Sequence, residues 1–150
     1  MIGKTTRLFA LLGPDLAGNR LYQMYNYIFE TNGVDAAFVN ISTPSSKLFF
    51  TLENLGASQI ESLLISAEFA DSSELHSFFK TDGFVTRIDI KNSKSLAICT
   101  PYVEDNEEGL LEAARLNFFE WFGYFPNIPD DALKTLKESA PRESILTRSE

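Results

Sequence analysis

The sequence contains one cysteine, Cys99, and one histidine, His76. A lone thiol forbids a disulfide within the chain, and no Cys/His cluster exists to hold a structural zinc. Long hydrophobic runs are missing too. The N-terminal apolar run stops at Gly13-Pro14, is too short to span a membrane and carries no signal-peptide cleavage pattern. A cytoplasmic location is the default for such a chain. Basic charge is scarce: 13 Lys and Arg face 21 Asp and Glu, for a formal net charge of -8. The cations are scattered rather than gathered into a stripe. A general nucleic-acid binder needs a basic surface to displace counterions from phosphate, so that class is excluded. No G-x-G-x-x-G follows any apolar run, so no dinucleotide cradle is visible and no cofactor is expected.

What is present is core-forming material. Of the 150 residues 44% are hydrophobic, with 13 phenylalanines, which is ample for one packed interior. Residues 1–140 read as a single domain. Residues 141–150 are polar and aperiodic and read as a loose tail.

The hydrophobic period assigns the elements. Residues 7–12 (RLFALL) read as a buried strand. Leu21, Met24, Tyr25, Ile28 and Phe29 then fall on one helix face, ended by Asn32-Gly33. Residues 36–41 are a second strand. Leu48, Phe49, Leu52 and Leu55 give a second helix, and residues 62–66 a third strand. Asp71 and Glu74 resemble a capping box for a helix through Leu75, Phe78 and Phe79, ended at Asp82-Gly83. Residues 84–90 and 95–100 flank Lys91-Asn92-Ser93-Lys94 and form an antiparallel hairpin. Asp105 and Glu108 suggest another cap. Leu110, Ala114, Phe118, Trp121 and Phe122 line a long helix that stops at Gly123, and a shorter one covers 130–138.

Short apolar strands alternating with amphipathic helices imply a parallel sheet covered on both faces. The expected fold is a three-layer α/β/α domain. Its open mixed sheet has about five strands, three parallel plus a hairpin, followed by a helical C-terminal segment.

Three segments together resemble the substrate-binding domain of shikimate dehydrogenase. The first spans residues 8–29, with FALLG and YNYIF, where Asn26 and Phe29 match the family's H-N-A-A-F helix; Gly33-Val34-Asp35-Ala36 resembles the approach to its second strand. The second is LISAEFA, residues 64–70, in the place of N-V-T-x-P-x-K. The third is EGLLEAARLNFFEWFG, residues 108–123, similar to the family's C-terminal helix, with Leu110, Ala114, Phe118, Trp121 and Gly123 matching and Pro126 following. In the family that helix comes after the nucleotide-binding domain. Here it follows the hairpin through residues 101–106, too few for a βαβ unit. The resemblance therefore implies a substrate domain with the nucleotide domain deleted and the C-terminal helices retained.

The resemblance also implies a chemistry: a Lys and an Asp flank the reacting hydroxyl and move its proton. Ala70 stands at the position of that Lys. The stretch matching the family's N-T-D is Cys99-Thr100-Pro101-Tyr102, with no carboxylate in register; Glu104 and Asp105 lie beyond it. The S-x-S clamp falls on Asn19-Arg20-Leu21. The Asn and Thr of N-V-T become Leu64 and Ser66. The Asn of G-A-V-N becomes Thr86, and the Gln of the C-terminal helix becomes Ala113. No catalytic residue and no metal ligand is expected.

The candidate substrate-binding residues are Asn19, Arg20, Ser66, Glu68 and Thr86, and two readings stand for them. Ser66, Glu68 and Thr86 at strand ends form either a remnant pocket for a small polar acid or ordinary loop chemistry. Arg20 either anchors a carboxylate or is a solvated first-turn residue. Glu68 with Glu112 as an acid/base pair finds no support in their alanine neighbours. His76 reads as a partly exposed helix residue and Cys99 as a small buried apolar one. The aromatics Phe118, Phe119, Trp121, Phe122, Tyr124 and Phe125 are too many for one helix face. About half would pack in the core, and the rest would form a protein contact, in a homodimer or with another protein of the same pathway. The expected function is thus a non-catalytic binding or interaction module. The alternative is the substrate-domain subunit of a split shikimate or quinate dehydrogenase whose nucleotide domain is on another chain.

Overall fold

A computed structural model describes residues 6–55, 58–80, 85, 87–91, 95–99 and 107–137; residues 95–99 are described by backbone alone. The apolar run after Thr6 forms β1 (Arg7–Gly13), followed by α1 (Leu21–Thr31) and β2 (Ala36–Ser42). A 3-10 turn at Ser45–Lys47 leads into α2 (Leu48–Leu55) and then β3 (Ile60–Ile65). Next come α3 (Ala67–Ala70), α4 (Ser73–Phe79) and a hairpin of β4 (Arg87–Lys91) and β5 (Ser95–Cys99). The C-terminal helices are α5 (Glu107–Phe122) and α6 (Lys134–Lys137). Among the described residues the strands make one sheet in the order β2-β1-β3-β4-β5. β1 pairs in parallel with β2 and β3, whereas β3/β4 and β4/β5 are antiparallel. The sheet is mixed, as expected, with the parallel strands first and the hairpin completing it.

The elements fall into two compact units: Met1–Gly18 with Asp35–Tyr102, and Asn19–Val34 with Val103–Glu150. The first unit holds the sheet. One face carries Ala10, Leu12, Leu63, Ile65 and Ile88, which pack with Leu48, Leu52 and Leu55 of α2, Phe69 and Ala70 of α3, and Leu75 of α4. The alternate residues Phe9, Leu11, Phe38 and Leu64 are buried as well. Both faces of β1 and β3 are therefore withdrawn from water over most of their length, as a parallel sheet requires. Where β3 meets β4, Ser62 lies opposite Asp89. The Ser62 hydroxyl donates to the Asp89 carboxylate at 2.6 Å, and Arg87 binds the same carboxylate at 3.1 Å. A one-residue slip would break this nearly buried group, so it helps fix the register.

The second unit pairs α1 with α5. Tyr25 and Phe29 of α1 meet Trp121 at ring-centroid distances of 5.9 and 6.4 Å, and Phe29 meets Phe118 at 6.3 Å. Asn117 donates to the Tyr25 hydroxyl at 3.1 Å within this contact. The end of α1 is clipped to the loop after α5: Asn32 Nδ2 donates to the Asn127 carbonyl at 2.8 Å, and Asn127 N donates back to Asn32 Oδ1 at 2.9 Å. Gly33 and Gly123 close the two helices with positive φ.

Some boundaries differ from the sequence reading. The cap of α4 is Ser72, whose hydroxyl accepts from Leu75 N; Asp71 instead closes α3 and faces His76 Nε2 at 3.1 Å. α3 itself was not expected. α4 ends at Phe79 because Lys80 takes the left-handed conformation, at φ 56° and ψ 49°, ahead of Asp82-Gly83. β4 is described from Arg87, and residues 84 and 86, where the expected strand begins, lie outside the described residues. Residues 130–133 are turns rather than helix. The cap expected at Asp105 and the tail 141–150 lie outside the described residues. No helix among the described residues is long and apolar enough to cross a membrane.

Asp89→Ala leaves Arg87 in a nearly dry site and is expected to lower the unfolding free energy by about 3 kcal/mol. Ser72→Ala should cost about 1 kcal/mol through its cap. Urea unfolding of the two variants measures both.

Candidate functional site

The chain leaves β1 toward β2 on one side and later returns as β3 on the other, which makes β1/β3 the switch point of the sheet. The carboxyl ends of strands at such a point frame a crevice, the usual ligand position of open α/β sheets. Gly13 ends β1, and Ser66 follows the last residue of β3. Ser66 N donates to the Leu12 carbonyl at 2.9 Å, carrying the β1/β3 ladder one residue past the strand. The Ser66 carbonyl then accepts from Phe69 N and Ala70 N, which starts α3. The Ser66 hydroxyl makes no cap bond and is buried without a hydrogen-bond partner, in a residue only 8% exposed. Such a group ordinarily costs about 1–3 kcal/mol, so its presence calls for a reason.

Gly13 is required by what surrounds it. A Cβ at this position would lie 2.7 Å from Leu16 Cδ2 and 2.8 Å from Ser66 Oγ. Leu16, in the loop after β1, is only 4% exposed. Its N–H donates to Ser42 Oγ at 3.2 Å, and its carbonyl accepts from Asn40 Nδ2 at 3.4 Å. Leu16 and Ser66 therefore pack closely on either side of Gly13.

The residues nominated from sequence are placed unequally. Ser66 is the N-cap residue of α3 at the end of β3, and Glu68 follows it, exposed in the first turn of α3. Thr86 lies outside the described residues. Its neighbour Val85 is buried and donates its N–H to the Ala70 carbonyl at 2.8 Å. Asn19 and Arg20 belong to the other unit. Asn19 Oδ1 accepts from Leu21 N at 2.9 Å, and Arg20 is the N-cap residue of α1, its carbonyl accepting from Gln23 N at 3.0 Å. Both thus take part in starting that helix. Ala70, at the position the resemblance gives to the proton-transferring lysine, is buried among the apolar residues of the sheet core. Glu112 is held by Arg115 through two hydrogen bonds of 3.0 and 2.7 Å. Those bonds keep its carboxyl below the ordinary carboxylate range. A carboxyl so held is a poor proton donor. No group of three or more His, Cys, Asp or Glu that could hold a metal occurs among the described residues. Sequence reading took Gly13 only as a strand stop and passed over Leu16; an isolated leucine between Asp15 and Ala17 in a polar loop was the available signal.

The fold occurs in solved structures. A shikimate dehydrogenase in complex with NADP+ matches over 82% of this chain and 42% of its own, at 18% identity and TM-score 0.57. The fold is shikimate dehydrogenase-like. The shikimate dehydrogenase of Aquifex aeolicus matches over 63% of this chain and 37% of its own, at 18% identity and TM-score 0.53. A 5-ketofructose reductase of Gluconobacter sp. strain CHM43 matches over 61% and 35%, at 18% identity and TM-score 0.51. At these identities the likeness is one of fold, and reductases with differently named substrates share it. The chain spans 35–42% of the length of these three structures. A match over 82% of 150 residues must include positions beyond residue 106, so it reaches into the C-terminal helical segment. No protein-family model matches the sequence, and no curated protein does.

Removal of an unpartnered buried hydroxyl should not weaken the fold. Ser66→Ala is expected to raise the unfolding free energy by about 1 kcal/mol in urea; a loss of stability would mean that the hydroxyl is held. The lowered carboxyl of Glu112 favours the folded state above its unfolded pKa, and that contribution fades as pH falls through the folded value. Carboxyl NMR titration should find Glu112 below the ordinary range, and Arg115→Met should return it there.

Proposed function

We propose that this chain is a non-catalytic module built on the substrate-domain fold of the shikimate dehydrogenases, working by contact rather than by turnover. The observation that carries this reading is Ala70. A proton must be moved beside the reacting hydroxyl, and an alanine walled by leucine, isoleucine and phenylalanine can neither donate nor accept one. On this reading residues 1–140 act as one domain, and residues 141–150 are a tail.

An exposed aromatic patch supports a protein contact. Phe119, Tyr124 and Phe125 are 39%, 46% and 51% exposed. Phe119 and Phe125 stack at 4.5 Å, and the Arg115 guanidinium lies 4.5 Å over the Phe125 ring. Aromatic groups flanked by arginine are the residue types that dominate binding energy at interfaces. We assign this patch to a second copy of the chain. The crevice at Gly13 and Ser66 would serve a small polar acid at most.

The second reading is a split dehydrogenase, with the nucleotide domain on a partner chain. What favours it is the share of the solved dehydrogenases that this chain spans, 37–42%. The partner would also have to bring the proton-transfer group.

Light scattering at micromolar concentration is expected to show a dimer. Phe119→Ser with Phe125→Ser should raise its dissociation constant by roughly 30-fold or more, since two central aromatic anchors are lost. A monodisperse monomer would remove the dimer. Isothermal titration with NADP and a shikimate oxidation assay should both be silent; cofactor binding by the isolated chain would overturn both readings.

A further inference from the structure

We propose that the exposed face of α2 is a self-complementary contact through which two copies of the chain pair, their α2 helices antiparallel and Phe50 on the two-fold axis. α2 belongs to the sheet unit, whereas Phe119 and Phe125 belong to the other. The inference therefore goes beyond the contact assigned above and does not rest on it. Three observations meet on this helix. α2 buries Leu48, Leu52 and Leu55 in the core of the sheet unit and leaves two phenylalanines outside. Phe49 is 42% exposed and meets the Phe78 ring of α4 at a centroid distance of 5.8 Å. Phe50 is 67% exposed, more than any other large hydrophobic among the described residues. Together the three rings make an apolar patch rather than one stray residue.

The charges beside Phe50 run against their own helix. Lys47 directly precedes α2, at the end that carries partial positive charge, and Glu53 lies in the last turn, at the partial negative end. Both are exposed, and neither makes an ion pair among the described residues. The polar positions are also symmetric about Phe50: Lys47 and Glu53 stand three residues to either side, and the exposed Ser46 and Asn54 four. A two-fold axis through Phe50, perpendicular to the helix, exchanges these ends. Lys47 then faces the partner's Glu53, and symmetry makes that pair twice. Each charge also meets the helix end that its own α2 denies it. Asn54 Nδ2 donates to the Phe50 carbonyl at 2.7 Å, which leaves its Oδ1 to accept from the partner's Ser46. A parallel pairing would instead set lysine against lysine. α2 is only about 12 Å long. The contact is thus smaller than the roughly 1,600 Å² of a standard interface, and its pairing is weak and reversible.

The test is sedimentation velocity on the full chain carrying Phe119→Ser and Phe125→Ser, from about 10 μM to about 1 mM, so that this face is read alone. A dimer that grows with concentration is expected. Lys47→Glu and Glu53→Lys should each raise the dissociation constant roughly tenfold, because each change turns two attractions into repulsions. An equimolar mixture of those two variants should regain the unsubstituted affinity, since every charge then meets its opposite across the axis. Phe50→Ser should abolish pairing, and its exposure leaves the fold intact. If the Phe119→Ser, Phe125→Ser background fails to fold, the same mixture in the wild-type chain decides, read as growth beyond the dimer. No association up to about 1 mM would overturn the proposal, as would a mixture that pairs no better than its components. The contact at Phe119 and Phe125 is tested by its own light-scattering comparison, so the failure of one leaves the other standing.

Discussion

Burial of β1 on both of its faces is the constraint from which the first unit follows. The strand has parallel neighbours on either edge, and Phe9, Ala10, Leu11 and Leu12 are all buried. A strand so placed cannot alternate polar with apolar residues, because neither face reaches water. It also has no free edge, so its backbone groups are used by β2 and β3 in register. The continuous run RLFALL meets both demands at once. The end of the strand is constrained by the same packing. Where β1 and β3 finish side by side, the side chains of Leu16 and Ser66 close on Gly13, and a Cβ there would meet both unless they shifted.

The chemistry of the crevice follows from this packing. An open α/β sheet usually offers a ligand the backbone and hydroxyl groups at its switch point. Here the Ser66 hydroxyl and a leucine side chain both close on Gly13. Ala70 is part of the apolar core, placed there by the short helix α3 and the bond from Val85 N to its carbonyl. The second unit has its own logic. Its aromatic contacts join α1 to α5 through Tyr25, Phe29, Phe118 and Trp121, and the aromatics left over, Phe119, Tyr124 and Phe125, are half exposed.

Where boundaries were misread, local signals competed. Asp71 and Glu74 have the spacing of a capping box, yet Ser72 adopts the extended conformation that lets its hydroxyl reach Leu75 N. Asp71 is used one residue earlier, at the end of α3. Asp82-Gly83 is a strong helix stop, but Lys80 turned left-handed first. α3 is a single turn of AEFA, too short for any periodicity to show.

By itself the sequence determined the alternation of strands and helices, the glycine stops at Gly33 and Gly123, the antiparallel hairpin and the exclusion of a zinc cluster. Each of these is written in neighbouring residues, as a period, a turn or a missing residue type, and needs no partner distant in the chain. Only the tertiary structure decided that Leu16 and Ser66 both close on Gly13, that Ser42 and Asn40 hydrogen-bond the Leu16 backbone, that Ala70 is core, and that Ser62 and Asp89 hold β3 to β4. These are contacts between residues 15 to 50 positions apart or more. They depend on which strands become neighbours, and no local pattern encodes that choice.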